Sequence, residues 1–167
     1  ALAEEIGETV ALAVWGNMGL TIVRWVESRR PVNVNLRTGS VMPLLHSAIG
    51  LCFATFFDSP LLQRRVEEEL LINARAEESR GPVTRAQLDE LTTDFRKHGL
   101  SRVAGSLIPG INAFCAPVFN HDGKMALAIT GLGPAGLVPP NWNGPIPAAI
   151  RAAALDISRR MGWRDAG

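Results

Sequence analysis

The residue types able to do chemistry are few in this chain and widely spaced. His46, His98 and His121 stand far apart, and none belongs to a His-x-x-x-His or Cys-x-x-Cys pair of the kind that holds a metal. Cys52 and Cys115 each lie in an apolar run without an adjacent base, the setting of inert core thiols rather than of a nucleophile or a disulfide. Gly131, Gly133 and Gly136 superficially suggest a dinucleotide fingerprint, but Pro139 and Pro140 follow where its helix should begin, so these glycines read as loop residues. An enzyme would need His46 or His98 as base and Ser47 or Cys115 as nucleophile, and no motif assembles them. The expectation is therefore a non-enzyme without metal or cofactor.

Ser47 carries more information. It precedes an apolar run of helical length, residues 48–57, and is placed to cap it, which leaves the first amides, on Ala48 and Ile49, able to bind a carboxylate or carbonyl oxygen. Ala113 and Cys115 fall on one face of an apolar strand, as do Thr130 and Leu132 on the next. Small inward residues on neighbouring strands leave room for a ligand, or else mark tight packing of a helix.

The elements that must position these residues follow from periodicity. Residues 1–6 read as the end of a helix stopped by Gly7, and the chain opens at Ala1 as an excised fragment would. Residues 9–15 and 20–26 form a hairpin through Gly16-Asn17-Met18-Gly19, with Thr21, Val23 and Trp25 alternating against Ile22, Arg24 and Val26, and residues 32–36 alternate again after Pro31. Pro60 opens an amphipathic helix carrying Leu62, Val66 and Leu70, and Thr84 with Gln87 makes a capping box for another that Gly99 closes. Strands at 100–108, 112–119 and 124–132 come next, then a Pro- and Gly-rich loop, then a closing helix at 147–161. Strands grouped by hairpins predict an α+β domain, a six-stranded antiparallel sheet with helices packed on it.

At 167 residues and 47% apolar content, the chain suits one domain spanning 1–167 with a continuous core. A net charge of +1 lacks the field of a nucleic-acid binder, and the Arg29-Arg30 and Arg159-Arg160 pairs do not supply one. No apolar stretch approaches a membrane span, and the expected location is cytoplasmic, with buried thiols in a reducing compartment.

The run Gly39-Ser40-Val41-Met42-Pro43-Leu44-Leu45-His46-Ser47-Ala48-Ile49-Gly50, followed by Gly99, Pro109-Gly110-Ile111, Ala116-Pro117-Val118 and Gly133-Pro134, resembles the effector-binding domain of the IclR family of bacterial transcription regulators. The resemblance implies a GAF-like fold, a small-molecule effector, assembly into homodimers or tetramers, and operator DNA bound only through an N-terminal winged helix-turn-helix domain outside this chain. It also implies that an acidic effector is held by amides at Ala48 and Ile49 and by residues at Val103, Ala113, Thr130 and Leu132. The family often has an acidic residue at Val103, Cys or Ser at Ala113, Ser at Leu132, Glu at Ser106 and Lys at Leu51. With those polar partners replaced, a small, highly charged acid is poorly matched, and a less polar or aromatic acid is the expected effector. The competing expectation is an oligomerisation domain with a degenerate pocket.

Overall fold

A computed structural model describes residues 2–29 and 34–165. Helix α1 (Leu2–Ile6) leads into the hairpin of β1 (Thr9–Gly16) and β2 (Gly19–Val26). Helices α2 (Ala48–Phe56), α3 (Pro60–Arg75) and α4 (Arg85–His98) follow, then β3 (Ser101–Ala104), β4 (Ile111–Phe119), β5 (Met125–Pro134) and α5 (Pro145–Arg160). All pairings are antiparallel, in the order β2-β1-β5-β4-β3.

Both faces of this sheet are covered. Ala11, Ala13, Val103, Cys115 and Ala128 pack against α2, with Val66, Leu70, Leu88 and Phe95 of α3 and α4 in the same core. On the other face Val10, Phe114, Val118 and Ile129 meet Ala3 of α1 and Ile150 and Ala154 of α5. Sandwiched between sheet and outer helices, α2 has no solvent face to keep polar; Ala48, Ile49, Leu51, Cys52 and Phe53 are all buried. The local signals act as their chemistry requires: Thr84 and Gln87 form the reciprocal capping box, and Gly99 ends α4 with φ 71°, a left-handed conformation open to glycine.

The described sheet has five strands, not six. Of the strand expected at 32–36, residues 32 and 33 lie outside the described residues, and 34–36 form no strand. The outer edge of β2 is occupied instead by the segment after it: Gly39 N–H donates to Ile22 O (2.7 Å), Ile22 N–H to Ser40 O (2.9 Å) and Met42 N–H to Leu20 O (2.8 Å). Pro43, without an N–H, ends that pairing after a single bridge, Thr21 with Val41.

Two further boundaries differ from expectation. β3 stops at Ala104 rather than running to 108, and β5 continues through Gly131 and Gly133 to Pro134. These two glycines are strand residues, not loop residues, because other groups approach their backbone. A Cβ at Gly131 would lie 2.9 Å from both Ile6 and Ile150 side chains, and one at Gly133 would run into the Glu8 carboxylate.

Candidate functional site

The start of α2 is held by hydrogen bonds from three directions. Ser47 accepts from Gly50 N–H (2.9 Å) and donates its hydroxyl proton to Pro43 O (2.8 Å). From α3, the Glu69 carboxylate accepts from Leu44 N–H (2.8 Å) and Leu45 N–H (2.9 Å), while Asn73 meets His46 Nε2 at 2.8 Å. From the loop after β3, Ser106 donates to His46 O (2.8 Å). The segment can lie this close to α2 because position 50 is glycine: a Cβ there would overlap the backbone of Pro43 and Leu44. With Gly50 N–H taken by Ser47, the Ala48 and Ile49 amides make no hydrogen bond among the described residues.

These amides belong to the wall of an apolar cleft. Its floor is the sheet, where register puts Val103 opposite Ala113, Ala113 opposite Leu132, and Cys115 opposite Thr130. Seven of the eight residues expected at a ligand site, Ser47, Ala48, Ile49, Val103, Ala113, Thr130 and Leu132, line this cleft together. The eighth, Cys115, is fully buried beneath the floor beside Cys52, outside the lining. Burial pushes the Cys115 thiol well above the ordinary thiol range, and the Cys52 thiol beside it adds to that, so Cys115 is held in its neutral, unreactive form.

Ile22 and Trp25 from β2 and Leu36, Leu107 and Ile108 from the loops complete the walls. Strict alternation sets Ile22 and Trp25 on opposite faces. A β-bulge at Val23 changes that: Ile22 pairs with Ala13 and Trp25 with Ala11, so both come to the cleft side of the sheet. Nothing in the residue types marks the bulge. Thr9 sits on the same floor row, directly opposite Leu132, and buries its hydroxyl without a hydrogen-bond partner among the described residues.

Among the described residues no charged side chain lines the cleft, and its two hydroxyls are already engaged, Ser47 as the cap and Thr130 with Phe114 O (2.7 Å). The positive pole of α2 and its two amides are thus the polar means of holding an anion there, equivalent to roughly half a charge. The cavity volume is about 30 Å³, room for roughly two waters.

The histidines lie apart from one another and are engaged locally. His46 meets Asn73, His98 stacks on Trp142 at 4.1 Å with Asp94 at 3.5 Å, and His121 is exposed beside Asp122. The side chains that act on the Cys115 thiol are those of Cys52 and Thr130, not a histidine, and among the described residues no three His, Cys, Asp or Glu side chains group as metal ligands. Ser106, which stands where an acidic residue was expected from the resemblance, has a structural task in tying its loop to residue 46.

Comparison with known proteins agrees with this architecture. A family model described as the bacterial transcriptional regulator IclR C-terminal domain matches residues 1–159. The uncharacterized HTH-type transcriptional regulator RhmR of Escherichia coli is 25% identical over 166 residues, covering 98% of this chain and 62% of RhmR. The crystal structure of Pseudomonas aeruginosa HmgR superposes with a TM-score of 0.84 at 37% identity, over 99% of this chain and 64% of HmgR. The Thermotoga maritima IclR structure shares the fold, with a TM-score of 0.81 at 21% identity, over 97% of this chain and 64% of that one. The chain therefore spans just under two thirds of the length of these relatives. Matched along nearly its whole length by the family model, this chain belongs to the IclR C-terminal domain family of bacterial transcriptional regulators.

Proposed function

We propose that this domain senses a small organic acid of low polarity, an aromatic monocarboxylate being the best match, and that binding shifts the oligomeric state and operator affinity of the full-length regulator. The observation that carries this reading is the pairing of two unused amides, Ala48 and Ile49, with a floor that is apolar at Val103, Ala113 and Leu132. One carboxylate can be satisfied at the helix start while a ring replaces water against the floor. A compact keto acid would leave its second polar group facing apolar walls.

A cavity of about 30 Å³ does not admit a ring. Binding therefore selects an opened form in which the loops bearing Leu36 and Leu107 move away from α2. Residues 44–46 are bonded both to α3 and to the loop after β3, so a change at the cleft mouth bears on the outer helix layer. DNA contact is assigned to the N-terminal domain of the full-length protein, and the location to the cytoplasm.

Calorimetric titration with benzoate and phenylacetate against glyoxylate and pyruvate tests this reading. About 100 Å² of ring buried at ~25 cal/mol per Å² is worth about 2.5 kcal/mol, so the aromatic acids should bind roughly 60-fold more tightly. Tight binding of glyoxylate or pyruvate with none of the aromatic acids would refute it. Ala113→Trp should fill the cleft and abolish binding without changing oligomeric state.

A further inference from the structure

One polar group beside the cleft serves no contact of the fold. Val103, Ala113, Leu132 and Thr9 stand opposite one another on β3, β4, β5 and β1, a continuous row across the floor. Residues directly opposite share a face of the sheet, and the first three line the cleft. The lining also takes in Ile22 and Trp25 on β2, the strand beyond β1, so Thr9 lies within the span of the cleft although its side chain is fully buried. Its hydroxyl makes no hydrogen bond among the described residues. The two hydroxyls of the lining, by contrast, are both spent inside the chain, Ser47 on Pro43 O and Thr130 on Phe114 O.

A buried hydroxyl without a partner is costly and rare. Valine has the same shape and the same strand preference, and would fill the position without that cost. The row therefore holds a donor and acceptor in reserve at its β1 end. Ala48 stands over the other end, where its carbonyl accepts from the Ser101 hydroxyl of β3. From β3 to β1 is three strand spacings, ~14 Å at ~4.8 Å each, and two hydrogen bonds of ~3 Å leave ~8 Å between the polar ends of a ligand. That is the reach of a benzene ring substituted at opposite positions. A second carboxylate at the Thr9 end would be desolvated with no cation in the lining, whereas a neutral hydroxyl can either donate to Thr9 Oγ1 or accept from it.

We propose that Thr9 is a specificity-determining residue of the effector cleft, and that the effector carries a neutral hydroxyl on the side of its ring opposite the acid, hydrogen-bonded to Thr9 Oγ1. This rests on the carboxylate site proposed at Ala48 and Ile49. In the opened form a ring lying along the row passes over Ala113 and Leu132, and the Thr9 hydroxyl gains its partner from the ligand.

Calorimetric titration of the chain and its Thr9 variants with substituted phenylacetates tests this. In the parent, para-hydroxyphenylacetate should bind about tenfold more tightly than its para-methyl isostere, the worth of one buried hydrogen bond. The ortho-hydroxy isomer, with its hydroxyl beside the acid, should gain nothing over phenylacetate. Thr9→Val should abolish or reverse the preference for the para-hydroxyl while still binding the para-methyl compound. Its melting midpoint should rise, which separates lost discrimination from misfolding, and Thr9→Ser should keep the preference. An unchanged ratio in Thr9→Val, or equal gains from ortho- and para-hydroxyls, would overturn the role of Thr9 and leave the acid site standing. Failure of every phenylacetate to bind would overturn both.

Discussion

Replacing Glu69 should loosen the start of α2 from a distance, since its two hydrogen bonds cross from α3 to Leu44 and Leu45. Each is charge-assisted and part-buried, at 2.8 and 2.9 Å, and bonds of this kind contribute about 1.5–3 kcal/mol when their partner is left unpaired. Glu69→Gln keeps the shape and one acceptor oxygen, but turns an NH₂ group toward the second backbone N–H. One bond is lost and two donors are opposed, for a cost of about 2 kcal/mol. In a domain of this size that corresponds to roughly 4–8 °C in the melting midpoint. Glu69→Ala removes both acceptors; water reaching the part-buried amides limits the cost to about 2–4 kcal/mol. Urea unfolding monitored by far-UV circular dichroism measures both, with the slope unchanged if only the native contact is affected. A Glu69→Gln variant within about 0.5 kcal/mol of the parent would refute the reasoning, because the segment would then be held by packing alone.

Gly50→Ala sets two terms against each other: alanine gains about 1 kcal/mol of helix propensity, while its Cβ overlaps the Pro43 and Leu44 backbone at a cost of about 3 kcal/mol, so a net loss of about 2 kcal/mol is expected by urea unfolding. Thr9→Val removes a buried hydroxyl that has no partner among the described residues and should stabilise by about 1 kcal/mol, whereas Thr130→Val loses the bond to Phe114 O and should destabilise by a similar amount. Because the folded-state pKa of Cys115 is raised, the unfolded chain holds fewer protons above about pH 8.5, and stability should fall with rising pH from there at up to about 1.4 kcal/mol per unit. Lys97 and Lys124 are the only lysines and tyrosine is absent, so few other groups titrate in that range, and Cys115→Ala should flatten the decline in unfolding free energy.

Features that depend on a few adjacent residues were legible in the sequence. The Ser47 cap, the Thr84 and Gln87 box and the Gly99 stop are each settled within four residues, and the facing of Ala113 and Leu132 follows from strand parity. What escaped depends on parity being broken or on distant contacts. The bulge at Val23 brings Trp25 to the cleft, and Pro43 limits the edge pairing of residues 39–42 that displaces the expected sixth strand. Gly131 and Gly133 look like loop residues until Ile6, Ile150 and Glu8 are found against them. Glu69 resembles any exposed acid on an amphipathic helix; its role arises because α3 lies beside a segment some 24 residues earlier in the chain. Cys115 shares its strand face with Ala113, yet α2 covers it through Cys52, so sharing a face did not mean reaching the cleft.

The proposed sensor rests most directly on the two amides at the start of α2. Nitrogen-15 chemical shifts of the chain, recorded while benzoate is added, test them residue by residue. The largest saturable changes should fall on Ala48 and Ile49, followed by Val103, Ala113 and Leu132, and should vanish in Ala113→Trp. Saturable changes confined to residues away from this cleft, with Ala48 and Ile49 unmoved, would contradict the assignment.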